Sequence, residues 1–103
     1  MKWTKLKDLK PNTQNINIKA KIVKIFEPIK VLSNKTLNEI QLQNIRITDD
    51  SIKGKSYWLV LWGEHVGKFA ENDKIKIQNA YITSYDGQLQ IRLMKNSTIK
   101  KVT

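Results

Sequence analysis

The strongest structural pattern in this chain lies in residues 56–94, which read SYWLVLWGEHVGKFAENDKIKIQNAYITSYDGQLQIRLM. Over residues 56–62 the side chains alternate between two faces, and this period of two is typical of a half-buried β-strand. A second run, 74–84, opens with isoleucine at every other position. Asp86-Gly87 is a strong hairpin signal, and alternation resumes over 88–94. These residues predict three strands, the last two of them joined as a hairpin.

The connection between the first two of these strands, residues 63–70, carries Val66 and Phe69 at helical spacing, and it predicts a short helix. Upstream, alternation over residues 15–27 predicts a long strand. Its apolar phase slips by one position after Ile22, which indicates a β-bulge inside the strand.

Residues 30–35 predict a loop and residues 36–48 a further strand, so that the chain has five strands. Five strands with phase slips and one short helix between the third and fourth are typical of an OB-fold, a five-stranded Greek-key barrel. An SH3-like barrel is the nearest alternative, but it lacks the linking helix. We therefore predict an all-β chain with a single OB-fold domain over 1–103, including a lead-in segment, 1–12, and a basic C-terminal segment, 96–103.

The positive charge of the chain is large for its length. Nineteen lysines and arginines against nine carboxylates give a formal net charge of +10. Such a field attracts polyanions, although it does not distinguish DNA, RNA and an anionic membrane, and a lysine-rich composition also fits an AT-rich genome. Only Arg46 and Arg92 are arginines. Because arginine is the usual reader of guanine edges and lysine acts on phosphate as a point charge, this balance favours backbone contacts over sequence reading.

Residues that build catalytic and metal sites are scarce. The absence of cysteine excludes a disulfide framework, a thiolate metal site and a cysteine nucleophile. His65 is the single histidine, which we interpret as structural, and the closest carboxylates, Asp49-Asp50 and Glu71/Asp73, fall in predicted turns. We therefore expect no enzyme activity, no metal and no cofactor. With no long apolar run and no signal peptide, we expect no membrane association and a cytoplasmic, nucleoid-associated location.

Two tryptophans in the run 56–62 are candidates for base stacking. Leu59 and Leu61 must share the core face, since the opposite choice would expose both. Trp58 and Trp62 then lie on the outer surface, where flat rings beside positive charge suit unpaired bases. The alternative is that a loop, or the N-terminal segment with Trp3, covers one of them.

The tyrosines of the next strand are ambiguous. Strict alternation from Ile75 and Ile77 would turn Tyr81 and Tyr85 towards the core. They reach the outer surface only if the strand bulges near Asn79, a polar residue at an apolar phase. The pattern alone leaves both arrangements open.

Five segments together resemble a known family. They are LWGEHVG at 61–67, KIQNAY at 76–81, YDGQLQ at 85–90, LKPN at 9–12 and NINI at 15–18. The combination resembles the simple archaeal single-stranded DNA-binding proteins, which are single OB-folds related to the DNA-binding domains of replication protein A. The resemblance covers roughly residues 6 to 100.

The resemblance implies roles for particular residues. Trp62, Tyr81 and Tyr85 fall where the family stacks aromatic rings on bases, and Lys30 falls in a loop that contacts nucleic acid. Arg92 lies on the last strand, on a face that adjoins the binding groove in many OB-folds, and is either a secondary contact or a solvated residue.

Two features depart from the family. Residues 49–54 look like its acidic turn with extra residues inserted. Some relatives also carry a flexible glycine-rich or acidic C-terminal tail that recruits partner proteins. This sequence ends at Thr103 without one, so the tail is either absent from the protein or missing from this sequence.

The resulting hypothesis is a sequence-tolerant single-stranded DNA-binding protein of DNA replication, repair and recombination. We expect it to be a monomer in isolation, with other replication or repair proteins as potential partners. One alternative is a binder of single-stranded RNA or an RNA chaperone. Another is an OB-fold subunit that binds proteins within a replication complex, with the outer aromatic rings docking a partner.

Overall fold

The computed structural model describes residues 2–32 and 38–102 as six strands and two single turns of 3-10 helix. The strands are β1 (Thr13–Ile25), β2 (Ile29–Leu32), β3 (Glu39–Thr48), β4 (Tyr57–Trp62), β5 (Lys74–Tyr85) and β6 (Gln88–Val102), and the turns are Leu6–Asp8 and Gly63–His65. The predicted loop 30–35 and strand 36–48 both run into residues 33–37, which lie outside the described residues. Within the described ranges no helix is long and apolar enough to cross a membrane.

Five of the described strands close into a barrel. Their order is β1-β5-β6-β4-β3, and β3 pairs again with β1 to complete the ring. The pairs are antiparallel apart from β4 with β6, which is parallel. β2 pairs with β3 and extends the sheet beyond the barrel. The predicted five-stranded Greek-key barrel is therefore confirmed, and its third, fourth and fifth strands are β4, β5 and β6.

The core consists mainly of isoleucine and leucine, which suit the interior of a small barrel. β1 turns Ile18, Ala20 and Ile22 inward, and its pairing with β3 shifts register between Ile22 and Lys24. The β-bulge predicted after Ile22 is thus confirmed. The largest fully buried side chains are Leu6, Ile18, Ile22, Ile45, Ile47, Leu59, Leu61, Ile75, Ile77, Ile82 and Ile91.

Two segments predicted as a loop and a tail are strands. Residues 96–102 continue β6, where Ile99 pairs with Ile77 and packs against the core. The pairing with β5 is interrupted around the start of this segment, because residues 94–97 of β6 lie opposite the single residue Asn79, and it resumes at Thr98. Lys30, predicted in a loop, lies in β2 and pairs with Gln41.

The connection after β4 is less helical than predicted. A single 3-10 turn spans Gly63–His65, and Val66 then returns to extended backbone. Gly63 and Gly67 have φ values of 56° and 77°, which are left-handed and interrupt a helix. Val66 and Phe69 still pack against the core, so their spacing reflects burial without a continuous helix.

Gln43 is a buried polar side chain, only 5% exposed, in the same phase as Ile45 and Ile47. Its Nε2 donates a hydrogen bond to the carbonyl of Phe26 at 3.1 Å. Its Oε1 accepts one from the N–H of Gly67 at 3.1 Å. The amide therefore ties the chain after β1 to the connection after β4.

We expect Gln43→Ala to lower the free energy of unfolding by about 1–3 kcal/mol, because it leaves two backbone groups without their partner. Urea denaturation measures the change. The control is Gln41→Ala, an exposed position on the same strand, which should change stability by less than about 0.5 kcal/mol. Equal effects of the two substitutions would contradict a role for the buried amide.

Asp49 attaches the N-terminal lead-in to the barrel. Its carboxylate accepts hydrogen bonds from the N–H of Leu6 at 2.9 Å and from the N–H and hydroxyl of Ser51. Leu6, whose N–H makes this contact, and Leu9 are both buried in the core. Partial burial raises the pKa of Asp49, but the hydrogen bonds from Ser51 and Leu6 outweigh it, so the net pKa lies below its ordinary value.

A carboxyl whose pKa is lower in the folded than in the unfolded state stabilises the fold above its unfolded pKa. We therefore expect Asp49→Asn to be less stable than the native chain at neutral pH. The difference should shrink as the pH falls below about 3.9, the ordinary pKa of aspartate, and through the folded pKa. Thermal midpoints across a pH series measure it, with the exposed neighbour Asp50→Asn as control. A difference that grows on acidification would refute the assignment.

Candidate nucleic-acid interface

β4 carries two tryptophans on the outside of the barrel. Leu59 and Leu61 are fully buried, so Trp58 and Trp62 lie on the opposite face, as predicted. Trp62 is 38% exposed and Trp58 is half-buried. The ring of Trp3, considered as a cover for one of them, instead contacts lysines of β1 and β5.

A bulge in β5 decides the position of the two tyrosines. β5 pairs with β1 at Ile18–Ile77 and at Ile16–Ala80, so it has one residue more than β1 over this stretch, and Asn79 has a φ of 61°. Asparagine tolerates this left-handed region better than most residues. Ala80 is consequently buried, whereas Tyr81 and Tyr85 face outward, Tyr85 with 72% exposure. Of the two arrangements that the sequence left open, the structure adopts the bulged one.

Polar contacts hold this bulge in place. The N–H of Asn79 donates to Oδ1 of Asn17 on β1 at 3.1 Å. On the other side, the hydroxyl of Ser97 on β6 donates to the carbonyl of Asn79 and accepts the N–H of Met94. The extra residue in β5 is therefore matched by hydrogen bonds from both neighbouring strands.

The strand pairings align the outward side chains in rows across β5, β6, β4 and β3. The two central rows are Tyr81-Arg92-Val60-Asn44 and Thr83-Gln90-Trp58-Arg46. Tyr85 lies one step before these rows, where it pairs with Gln88, and Trp62 one step after them. In order along the sheet, the rings at four successive levels are those of Tyr85, Trp58, Tyr81 and Trp62. Adjacent levels are two residues apart, so the four levels span about 20 Å at ~3.3 Å per residue. We call the set Trp58, Trp62, Tyr81, Tyr85 and Arg92 the aromatic surface.

Trp58 is held by its neighbours. The guanidinium of Arg46 lies 4.4 Å from the ring centroid, and the ring of Phe26 lies 5.4 Å away, tilted by 43°. The indole N–H donates to Oε1 of Gln88 at 2.7 Å. Arg46 is itself fixed by donating to the hydroxyl and the carbonyl of Ser56. Trp58 is therefore a fixed part of the floor of this surface.

Sequence reasoning assigned no role to Arg46 or Phe26. Because Arg46 alternates with the buried Ile45 and Ile47, its outward position could have been predicted. Its contact with Trp58 could not, because that contact depends on how β3 and β4 pair.

A groove of about 350 Å³ adjoins Trp58. Its lining residues are Asn44, Arg46, Trp58, Tyr85, Asp86, Gln88 and Gln90. The amides offer both hydrogen-bond donors and acceptors, and the rings offer flat apolar faces. This combination can accept a planar heterocycle with polar edges.

Lys30 is separated from the other predicted residues. Ile29 pairs with Leu42, which pairs with Trp62, so these three share one face. Lys30 pairs with Gln41 and lies on the other face of the β2–β3 ribbon. Leu42 therefore lies beside Trp62, and the β2 residue on the same face is Ile29, which is 49% exposed.

Nothing in the described ranges resembles a metal centre: residues 2–32 and 38–102 contain no group of three or more histidine, cysteine or carboxylate side chains that could hold an ion. His65 is partly exposed, and its Nε2 lies 3.9 Å from the carboxylate of Glu64. The aromatic surface offers flat rings and the guanidinium of Arg92, and amide side chains adjoin it, so the chemistry present is stacking, charge and hydrogen bonding.

The two tryptophans of β4 should differ in their effect on stability. We expect Trp58→Ala to lower the free energy of unfolding by about 1–3 kcal/mol, because it removes the contacts with Phe26 and Arg46. In the described part of the chain Trp62 has no such ring or cation contact. Trp62→Ala should accordingly cost less than Trp58→Ala in urea denaturation. The reverse order would mean that Trp62 is the structural ring.

The closed barrel with its parallel β4–β6 pair defines the chain as an OB-fold protein. No family model matches it. The solution structure of the replication factor A related protein from Methanobacterium thermoautotrophicum is similar, with a TM-score of 0.78 and 25% identity over 98% of this chain and 91% of that chain. A replication protein A heterotrimer bound to single-stranded DNA contains a similar fold. Its TM-score is 0.78 at 14% identity, over 97% of this chain and 24% of that chain.

The chain is also similar in sequence to the single-stranded DNA binding protein Ssb of Saccharolobus solfataricus. The two sequences are 29% identical over 96% of this chain and 64% of the relative. The resemblance to archaeal single-stranded DNA-binding proteins is confirmed by this similarity. The chain spans somewhat less than two thirds of the relative's length.

Proposed function

We propose that this chain binds single-stranded DNA, with little preference for sequence and without chemical change to it. The proposal depends on one observation above all: aromatic rings stand at four successive levels of an outer strand face, on a chain with a net charge of +10. Flat rings beside positive charge are what unpaired bases and their phosphates require. The similarity to Ssb supports the same conclusion.

In the proposed mechanism, bases stack on Trp62, Tyr81 and Tyr85, each contributing about 1–3 kcal/mol. The guanidinium of Arg46 and the ring of Phe26 lie against Trp58. Trp58 therefore supports the base of the aromatic surface and does not itself stack on a separate base. Arg92 donates to Oε1 of Gln90 and lies in the row of Tyr81, where it can contact phosphate or a base edge. Lysines supply the remaining phosphate contacts.

We further propose a cytoplasmic, nucleoid-associated monomer that acts in DNA replication, repair and recombination, with other proteins of those processes as partners. The scarcity of arginine supports tolerance of sequence, since bidentate guanine reading needs it. Binding without catalysis is supported by the scattered carboxylates and the single histidine.

Titration of oligothymidylate tests the proposal through quenching of tryptophan fluorescence. We expect Trp62→Ala to weaken binding by about 1–3 kcal/mol with little loss of thermal stability, because one stacking platform is removed. Tyr81→Ala should act similarly. The control is Gln41→Ala, an exposed residue on the face of the β2–β3 ribbon away from Trp62, and it should leave the affinity unchanged.

Matched ligands separate the remaining alternatives. Single strands should bind more tightly than duplex of the same length, and the affinity should fall steeply with salt. If the protein bound the RNA oligonucleotide clearly more tightly than its DNA counterpart, the proposed ligand would be single-stranded RNA and not single-stranded DNA. Absence of binding and quenching with every oligonucleotide would refute the proposal and favour a protein-binding role.

A further inference from the structure

A second group of outward side chains lies on β1, the first half of β5 and the end of β6. The pairings place Lys19, Lys76 and Lys100 in one row and Lys21, Lys74 and Val102 in the next. We call these five lysines the lysine surface. It shares no residue with the aromatic surface.

This arrangement has no evident benefit for the fold. Directly opposed side chains in a sheet lie about 4.5–5.5 Å apart at Cβ, and like charges in such pairs are destabilising. Lys19 faces Lys76, and Lys21 faces Lys74, across the same strand pair. Among the described residues none of the five lysines forms an ion pair, whereas the neighbouring Lys101 pairs with Asp73 at 3.5 Å. The positive charge of this surface is therefore concentrated and largely uncompensated.

The N-terminal segment organises part of this surface. The ring of Trp3 lies 4.7 Å from the ammonium of Lys19 and 5.8 Å from that of Lys76. The segment is fixed to β1 through Asn17, whose carbonyl accepts the N–H of Thr4 at 2.7 Å. Because its ring already contacts two ammonium groups, Trp3 positions these lysines and does not serve as an open stacking platform.

The lysine surface carries the concentrated positive charge that phosphates require. A groove of about 510 Å³ lies among its lysines, but the apolar residues beneath, Ala20 and Ile75, are 8% and 1% exposed and point into the core. Two carboxylates also line this groove: Asp49, whose oxygens already accept hydrogen bonds, and Asp50. Val102, which is partly exposed, is the remaining apolar residue of the lining, and four lysines against two carboxylates leave the groove net positive.

A second groove connects the two surfaces. It has a volume of about 460 Å³, begins at Trp62 and Met94, and follows β6 past Lys95 and Thr98 to Lys100. Its start belongs to the aromatic surface and its end to the lysine surface. A nucleic-acid strand that leaves the ring of Trp62 would therefore enter a groove whose lining includes Lys100 of the first lysine row.

We propose that a bound single strand continues from Trp62 along this groove and that its phosphates reach the lysine surface. The aromatic surface holds bases, whereas the lysine surface holds only the backbone, so long strands gain affinity that short strands lack. The inference rests on the proposed single-strand binding and extends it to a second contact region. Glu64 lines the connecting groove with an 87% exposed side chain, and its charge opposes the passage of phosphate.

The experiment compares two variants that each remove four of the ten net positive charges. One is K19Q/K21Q/K74Q/K76Q on the lysine surface. The other is the matched control K10Q/K53Q/K55Q/K68Q, whose lysines are exposed and lie outside the strands. Oligothymidylates from about 4 to about 16 nucleotides, a range that covers the site sizes of OB-folds, are titrated with each variant, and the stoichiometry is recorded.

We expect the two variants to bind the shortest oligonucleotides equally. For the longest, at one protein per strand, the lysine-surface variant should bind at least ~10-fold more weakly than the control. Its salt slope should be smaller by about 0.7 for each phosphate that no longer meets a lysine. E64Q should strengthen binding of long strands only. Thermal midpoints of both variants check that the fold is intact.

Equal affinities of the two variants at every length would overturn the proposal while leaving base stacking intact. Simultaneous binding of two short oligonucleotides by one protein, detected by energy transfer between labels, would also overturn it, because the lysine surface would then hold a separate strand. If Trp62→Ala had no effect on short strands, the stacking proposal would fail separately. The two inferences are therefore distinguishable.

Discussion

The β-bulge at Asn79 is the constraint on which both outer surfaces depend. Before it, β5 turns Ile75 and Ile77 into the core, and its lysines outward; after it, Ala80 and Ile82 are buried and the tyrosines face out. A strand without the extra residue would keep one phase throughout. The tyrosines would then compete with the core for space, and the outer face beside β6 would lose two of its rings.

The bulge is stabilised by polar groups that a regular strand would not need. Asn79 can take a positive φ, and Asn17 and Ser97 provide a hydrogen-bond acceptor and a donor for its backbone. Backbone groups that leave the ladder must find other partners when water is excluded. The polar side chains on β1 and β6 therefore belong to the same structural feature as the aromatic rings, although they lie on three different strands.

These residues also show how far the sequence could predict the structure. Leu59 and Leu61 allowed one burial pattern for β4, so the outward position of Trp62 followed from alternation alone. For Tyr81 the pattern allowed two phases. The phase adopted depends on the bulge at Asn79, whose N–H donates to Asn17, 62 residues earlier in the chain. The same holds for residues 96–102, which the sequence predicts as a basic C-terminal segment and which form a strand only through their pairing with β5. Local periodicity predicts which side chains of a strand share a face. Contacts with strands distant in sequence decide which of the two faces is buried where the pattern allows both.

The stack around Trp58 shows why outward position alone does not make a ring a binding platform. Trp58 and Trp62 are four residues apart on the same face of β4, yet Arg46 and Phe26 lie against the first. The negative potential of an indole face attracts a cation. When Arg46 lies over that face, the face is no longer open to a base or to a second cation. Trp58 thus stabilises the floor and holds Arg46 in place. The more exposed rings at the two ends, Trp62 and Tyr85, keep the open faces that the proposed stacking on bases requires.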